Sequence, residues 1–436
     1  MLDYIVLDTN ANILKTCDLQ FGFISKHSTT QCTFVLQEII DLYVRLKSPV
    51  YVMLLDASKA FDRIEYVKLF RILQKRGLCP SIIRLLLNIY TNQKLTVKWK
   101  STYSDFFKCN NGVKQGGVIS PILFCIYMDD LLNRLQMSKI GCFLGNRYAG
   151  AVCYADDLTL IAPSRNACKQ MLQICESYAK EYHVKYNATK SVMIMYNVQN
   201  DCDPELTING DKIKVVDNAL HLGHYIGNNS DKLNTTKGIQ DMVSKTNMII
   251  ARFGFCYSNI KSQLFESYCC SYYGCPIWNL NGKYCSKFQV AWRNCIRKVW
   301  QLPARSHRAL VNVISGKPSI HTQLLLRFTN FFCNAIQSVN SLVSICAKMS
   351  FYSNTAVGQN CRFLMATIMK NNNIFHLQNC KSSISYIIRC QETNQTGQYN
   401  HIGDIIQELC FVRDGMYTCV ISAAEATLLV PILNLE

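Results

Sequence analysis

Asp156 and Asp157 stand side by side between two short apolar, β-prone runs, Val152-Cys153-Tyr154-Ala155 and Leu158-Thr159-Leu160-Ile161. That pattern predicts strand, tight turn, strand, with both carboxylates at the tip. Adjacent like charges repel, so an ionised pair at such a turn is either well solvated or neutralised by cations. Charge patterning alone favours a solvated surface turn. The apolar runs on both sides argue for a site, because they lift the acids out of a buried hairpin. A third acid in a matching setting, Asp56, follows Tyr51-Val52-Met53-Leu54-Leu55. Taken alone, Asp56 also reads as the cap of a following helix. Three carboxylates at strand ends are what a two-metal phosphoryl-transfer site needs.

The elements that must position these acids follow from the pattern around them. Ser28 to Thr30 offer cap hydroxyls for a helix over 31–47, with Phe34, Val35, Ile39, Leu42, Tyr43 and Leu46 on its apolar face. Just upstream, Gly22 and Lys26 suit a loop near phosphates, though a plain loop explains them equally. Ser48-Pro49 ends the helix, and 50–55 reads as a buried strand delivering Asp56. Helices are expected over 65–76, ended by Gly77, and over 80–91, opened by Pro80-Ser81. Leu95 to Lys100 and Tyr103 to Cys109 read as a hairpin.

The stretch from Gly112 to Pro121 is a glycine-rich loop running into a helix over 121–135, with Ser120 as its N-cap and Pro121 at N1. Glycines let backbone approach a ligand closely, and a helix start favours phosphate. It is not a Walker A loop, because no Lys-Ser or Lys-Thr follows at the right spacing. A helix over 165–181, a β segment from Lys190 to Met195 and short strands over 206–226 come next. From about 235 the pattern is helical. Tyr268, Tyr272, Tyr273 and Trp278 lie near basic stretches at Lys283 to Lys287 and Arg293 to Lys298. They could grip a nucleic-acid strand or form the core and wet face of a helical bundle. Residues 350–400, rich in Asn, Ser and Gln, read as loosely ordered.

At 436 residues the chain can hold two or three domains. Its 49% hydrophobic and 17% charged content is that of a folded protein. A net charge of +17 points to polyanionic partners, nucleic acid first. No apolar run approaches a membrane span, and the start carries no signal-peptide pattern. The 23 cysteines therefore read as reduced core thiols. The densest group, Cys269, Cys270, Cys275, Cys285 and Cys295, lacks the paired spacing of a zinc site.

Three motifs occur in order: Asp56-Ala57-Ser58-Lys59-Ala60-Phe61-Asp62, Lys114-Gln115-Gly116-Gly117-Val118-Ile119-Ser120-Pro121 and Tyr154-Ala155-Asp156-Asp157. Together they resemble the A, B and C motifs of reverse transcriptases from non-LTR (LINE-type) retrotransposons. Gln20-Phe21-Gly22-Phe23 resembles the fingers segment just before them. Asn187-Ala188-Thr189-Lys190 and Leu222-Gly223 resemble the D and E motifs, and Tyr273-Gly274 with Trp278 a thumb motif. The resemblance covers residues 20–300 or so.

The resemblance implies an α+β right-hand polymerase: a palm of antiparallel sheet with helices, partial fingers, a helical thumb and a C-terminal helical region. The corresponding segments are 1–50 (fingers), 51–230 (palm with the remaining fingers insertion), 231–305 (thumb) and 306–436. It implies RNA-directed DNA synthesis, with Asp56, Asp156 and Asp157 holding two Mg²⁺ ions, for which Mn²⁺ can substitute. Phe61 would exclude a 2′-hydroxyl, Gln115 and Gly116 would lie against the templating pair, and Tyr154 near the primer end. Lys190 would aid pyrophosphate departure. Partners would be an RNA template, a DNA primer and dNTP, without a membrane, at an intracellular site in nucleus or cytoplasm.

Only 19 residues precede Gln20, without the basic fingers segment of complete elements, so a 5′-truncated copy or a partial gene model that keeps palm and thumb is expected. Neither an N-terminal endonuclease nor a C-terminal zinc knuckle is recognisable. A catalytically inactive palm that only binds nucleic acid is the alternative. An RNA-templated RNA polymerase ranks last, since its family usually has Gly before the paired acids and Phe61 disfavours ribonucleotides.

Overall fold

A computed structural model of the chain describes residues 1–198, 205–316, 318–364 and 366. The loosely ordered stretch expected over 350–400 falls outside them from residue 367 onward.

Val50–Leu55 (β1) is six consecutive buried residues. Such an unbroken apolar run, without alternation, suits a strand covered on both faces. Ala151–Tyr154 (β2) and Asp157–Ala162 (β3) form an antiparallel hairpin, and β3 lies antiparallel to β1. On the other side of β1, Val192–Tyr196 (β4) pairs antiparallel, and Lys214–Val215 (β5) adds a short parallel edge. The order is β5-β4-β1-β3-β2. The two apolar runs that carry the acids are thus neighbours at the middle of one sheet.

Helices cover this sheet. Leu2–Thr9 (α1) opens the chain, and Thr29–Arg45 (α2) starts at a reciprocal capping box between Ser28 and Gln31. Tyr66–Lys75 (α3) and Pro80–Thr91 (α4) follow, the latter with its proline in the first turn. Ser120–Ser138 (α5) corrects one expectation. Ile119 already has helical backbone angles, so Ser120 lies inside the helix and does not cap it. Its buried hydroxyl meets that of Tyr90 at 3.1 Å. Asp56 caps no α-helix either; a short 3₁₀ turn, Phe61–Arg63, follows it. Arg165–Tyr182 (α6) is capped by Ser164.

Asn218–His221 (β6) and His224–Gly227 (β7) form a separate hairpin that leads into Ser230–Phe253 (α7). Ser258–Cys269 (α8) and Lys283–Val299 (α9) pack with α7 around Phe288, which meets Tyr272 at 5.4 Å and Trp278 at 5.1 Å, both edge-on. The aromatic cluster therefore divides: Tyr272 and Trp278 are core, whereas Tyr268 and Tyr273 are exposed. Cys269, Cys275, Cys285 and Cys295 are buried in this same helical part.

Arg308–Ser315 (α10), Ile320–Ile336 (α11), Ser341–Ser350 (α12) and Ala356–Leu364 (α13) bring the chain back to its beginning. Phe331 meets Phe34 of α2 edge-on at 5.5 Å. Ser341 donates to the Asp18 carboxylate at 2.6 Å, and Thr355 to Glu38 at 2.6 Å. One apolar core runs without a break from Val6 to Leu364.

Candidate active site

The turn between β2 and β3 has two residues, Ala155 and Asp156, with Tyr154 paired to Asp157 across it. Ala155 sits at φ +57°, left-handed and buried. A side chain there carries a steric penalty, so something must hold the turn in place. The segment Leu19–Gly22 does so. It runs along the outer edge of β2, with Cys153 N donating to Leu19 O at 2.8 Å and Phe21 N to Cys153 O at 2.7 Å. Gln20 is fully buried, and its Oε1 accepts from Gly22 N at 2.8 Å and from Ala155 N at 2.9 Å. Gly22 lies so close that an added Cβ would press on Ala155, 3.1 Å from its Cα and Cβ. The missing side chain of Gly22 thus serves this approach.

Register places the third acid. Leu55 of β1 pairs with Leu158 of β3, so Asp56 leaves its strand beside Asp157. Its backbone is fixed from the far side of the sheet: Asp56 N donates to Ser191 Oγ at 3.1 Å, and Asn187 N to Asp56 O at 2.8 Å. Burial raises the Asp156 carboxyl above its ordinary range, a backbone hydrogen bond opposes this, and the charge of Asp56 reinforces it. Asp157 rises to about 6, through burial first and then the charges of Asp156 and Asp56. Among the described residues none of the three makes an ion pair.

This is a cluster of negative charge with no basic side chain of the described residues paired to it. Hard carboxylate oxygens under mutual repulsion fit a divalent ion such as Mg²⁺ by donor chemistry. Among the described residues, though, no three acidic, His or Cys side chains are grouped tightly enough to hold a metal ion. The fit is therefore one of charge and ligand type.

The remaining residues singled out by sequence lie around this edge in different ways. Phe61 stacks on the buried Phe124 of α5 at 4.3 Å and 12°, and meets Phe23 edge-on at 6.3 Å. Tyr154 is half-buried at the end of β2. Lys190 is exposed on the Asn187–Ser191 segment that ties down Asp56. Gln115 and Gly116 are exposed on the glycine loop, Gly116 at φ +82°. That loop is attached to the Phe61 turn, with Val113 N donating to Phe61 O at 3.0 Å and Gly112 N to Ile64 O at 2.8 Å.

Sequence reasoning placed Gln20 in the fingers-like segment but gave it no part in holding the Ala155-Asp156 turn. The available signal was a fully polar side chain in the otherwise apolar Leu19-Gln20-Phe21, which no period explains.

Comparison with known proteins adds the following. The family profile described as "Reverse transcriptase (RNA-dependent DNA polymerase)" matches residues 2–277. The chain is 33% identical over 156 residues to the Retrovirus-related Pol polyprotein from type-2 retrotransposable element R2DM of Drosophila melanogaster, covering 35% of this chain and 15% of that protein. It is 27% identical over 210 residues to the RNA-directed DNA polymerase from mobile element jockey of Drosophila funebris, covering 47% of this chain and 22% of that protein. Matched stretches thus span well under half the length of these relatives. A solved structure of apo telomerase from Candida tropicalis aligns with TM-score 0.40 at 12% identity, over 88% of this chain and 60% of that one.

Proposed function

The chain belongs to the reverse transcriptase (RNA-dependent DNA polymerase) family, and from that premise we propose that it is an RNA-directed DNA polymerase of the non-LTR retrotransposon kind. It would add deoxynucleotides to a primer 3′-hydroxyl on an RNA template. The single observation that carries the reading is the register of β1 on β3, which sets Asp56 beside the Asp156-Asp157 turn.

In this reading residues 51–230 are the palm with the remaining fingers insertion, 1–50 belong to the fingers, 231–305 are the thumb and 306–436 a C-terminal region, which lies outside the described residues from 367 onward. Asp56, Asp156 and Asp157 are the groups that would hold two Mg²⁺ ions. When bound, these supply Lewis-acid activation of the 3′-hydroxyl and charge neutralisation on the leaving pyrophosphate. The protein's own contribution is position: Gln20 and Gly22 hold the turn, and Ser191 and Asn187 hold Asp56. Phe61, its ring fixed on Phe124, is suited to stand against the sugar and exclude a 2′-hydroxyl. Gln115 and Gly116 would meet the templating pair, Tyr154 the primer end, and Lys190 the departing pyrophosphate.

Among the described residues no helix is long and apolar enough to cross a membrane. An intracellular location, in nucleus or cytoplasm, accompanies the proposal. A net charge of +17 supports nucleic-acid binding whether or not synthesis follows.

The test is deoxynucleotide incorporation on poly-rA/oligo-dT with Mg²⁺, beside Asp156→Ala. Incorporation that the substitution abolishes is the expected result. Synthesis that survives the substitution would overturn the assignment of the site. Salt-sensitive binding of the template-primer with no incorporation would establish the binding-only palm instead.

A further inference from the structure

Between α4 and the glycine loop the chain makes a ribbon that no core explains. Lys94–Leu95 pairs with Phe107–Lys108, and Lys98–Trp99 with Thr102–Tyr103, all antiparallel. Each of these eight residues is exposed. A two-stranded ribbon this small is marginal by itself in water. Yet it carries Trp99 at 76% exposure, Phe106 at 73%, Tyr103 at 59% and Val97 at 57%, with Leu95 and Phe107 also exposed. Such a concentration of exposed aromatic surface marks an interaction site more than a random surface.

Charge narrows the partner. Residues 94–108 hold four lysines, Lys94, Lys98, Lys100 and Lys108, against a single acid, Asp105. Lys94 and Lys108 face each other across the ladder, an unfavourable pairing that a phosphate would relieve. Lys98 lies 5.3 Å over the Tyr103 ring. Directly paired residues share a face of a ladder, and successive ones alternate. Lys98 and Tyr103 therefore occupy one face, and Trp99 and Thr102 the other. With aromatics on both faces, the ribbon lacks the single apolar side that membrane insertion requires. Interleaved lysines and stacking rings are instead what single-stranded nucleic acid uses.

Attachment narrows it further. Four residues after Lys108, Gly112 N donates to Ile64 O at 2.8 Å, and Val113 N to Phe61 O at 3.0 Å. The base of the ribbon is thereby tied to the segment that carries Asp56 and Phe61. We infer that residues 94–108 grip a single-stranded segment of RNA template next to the carboxylate site. Bases stack on Trp99, Tyr103, Phe106 and Phe107, and phosphates meet the lysines. The inference rests on the nucleic-acid reading of the chain but does not require catalysis.

Trp99 supplies its own probe, since Trp278 and Trp292 are buried and Trp300 is half-buried. The full chain is titrated with a 20-nucleotide oligo-rU while tryptophan emission is followed at low and high salt. Expected are quenching on binding, loss of most of that quenching in Trp99→Phe, and roughly tenfold weaker binding with a shallower salt slope in Lys94→Glu/Lys108→Glu. Heparin, an anion without bases, should bind without quenching Trp99. Binding of oligo-rU with unchanged Trp99 emission would overturn the inference. So would a blue shift of Trp99 with anionic phosphatidylserine vesicles and no response to oligo-rU, which would mark a membrane surface. Incorporation on poly-rA/oligo-dT is measured on the same variants. A chain that polymerises without quenching refutes the ribbon alone, and one that quenches without polymerising refutes only the catalytic reading.

Discussion

The side-chain oxygen of Gln20 lies 2.9 Å from the backbone nitrogen of Ala155, one residue before Asp156. The same oxygen accepts from Gly22 at 2.8 Å, so one buried amide joins two backbone segments far apart in sequence. Asp156 is therefore aimed by a residue that never touches it. Leaving two buried N–H groups unpaired costs about 1–3 kcal/mol for each.

Gln20→Ala should lower incorporation at least tenfold, through kcat more than through KM for template-primer, because the turn moves and the binding surface does not. Gln20→Glu keeps an acceptor oxygen in place but adds an anion near two others. Its activity relative to the unsubstituted chain should recover as pH falls and the new carboxyl becomes neutral. Equal, pH-independent losses in both variants would show that the contact does not position the turn.

Gly22→Ala tests the same turn by filling space. The added methyl meets backbone atoms of Ala155, which cannot rotate aside. A loss of about 1–3 kcal/mol in unfolding free energy, read as a lower denaturant midpoint, is expected, together with reduced incorporation. Unchanged stability and activity would mean that the Leu19–Gly22 segment yields easily.

What the sequence shows and what it hides differ by the range of the interaction. β1 runs from Val50 to Leu55 as read, because an apolar run bounded by Pro49 and Asp56 leaves little choice. The Ser28 cap of α2, read among the hydroxyls of Ser28 to Thr30, is equally local. Ser120 fails as a cap because Tyr90, thirty residues upstream, takes its hydroxyl inside the fold. Gln20 and the return of α11 and α12 onto α2 stay invisible for the same reason. No local period encodes a contact such as Phe34 with Phe331. At the site, the strand ends that carry the acids are local and legible, whereas the groups holding them there are not.

Glu38 gives a stability prediction with a definite sign. Burial raises its carboxyl from 4.5 to about 7; Asp41 adds to the rise, while hydrogen bonds from Thr355 and Ser353 and the charge of Arg45 oppose it. A raised folded-state value means that the stabilising, protonated form is fully present below about pH 4.5 and is lost as pH passes 7. The chain should therefore weaken across that window by about 3 kcal/mol from this group. Glu38→Gln keeps an acceptor for Thr355 and removes the charge. It should raise the denaturant midpoint at pH 8 and flatten its pH dependence between 5 and 7. A variant less stable than the parent at pH 8 would contradict this.

Gly274 separates backbone freedom from close packing. It sits at φ +74°, where an added Cβ would also enter the His224 ring. That ring is stacked on Tyr273 at 4.8 Å, and Tyr273 donates to Leu222 O at 2.7 Å and meets the Thr29 hydroxyl at 2.7 Å. Displacing His224 would thus disturb the contact between the helical part, the β6–β7 turn and the start of α2. Gly77 is the control, at φ +84° with nothing within 4 Å of an added Cβ. Gly77→Ala should cost only the left-handed penalty, about 1–2 kcal/mol. Gly274→Ala should cost that and a further 1–3 kcal/mol or so of overpacking. Tyr273→Phe keeps the stack but loses both hydroxyl contacts, and should cost about 1 kcal/mol because the site is exposed. Denaturant midpoints of the three variants give the order directly. A Gly274→Ala loss no greater than that of Gly77→Ala would mean that the His224–Tyr273 stack moves freely and does not clamp the helical part to the β6–β7 turn and α2.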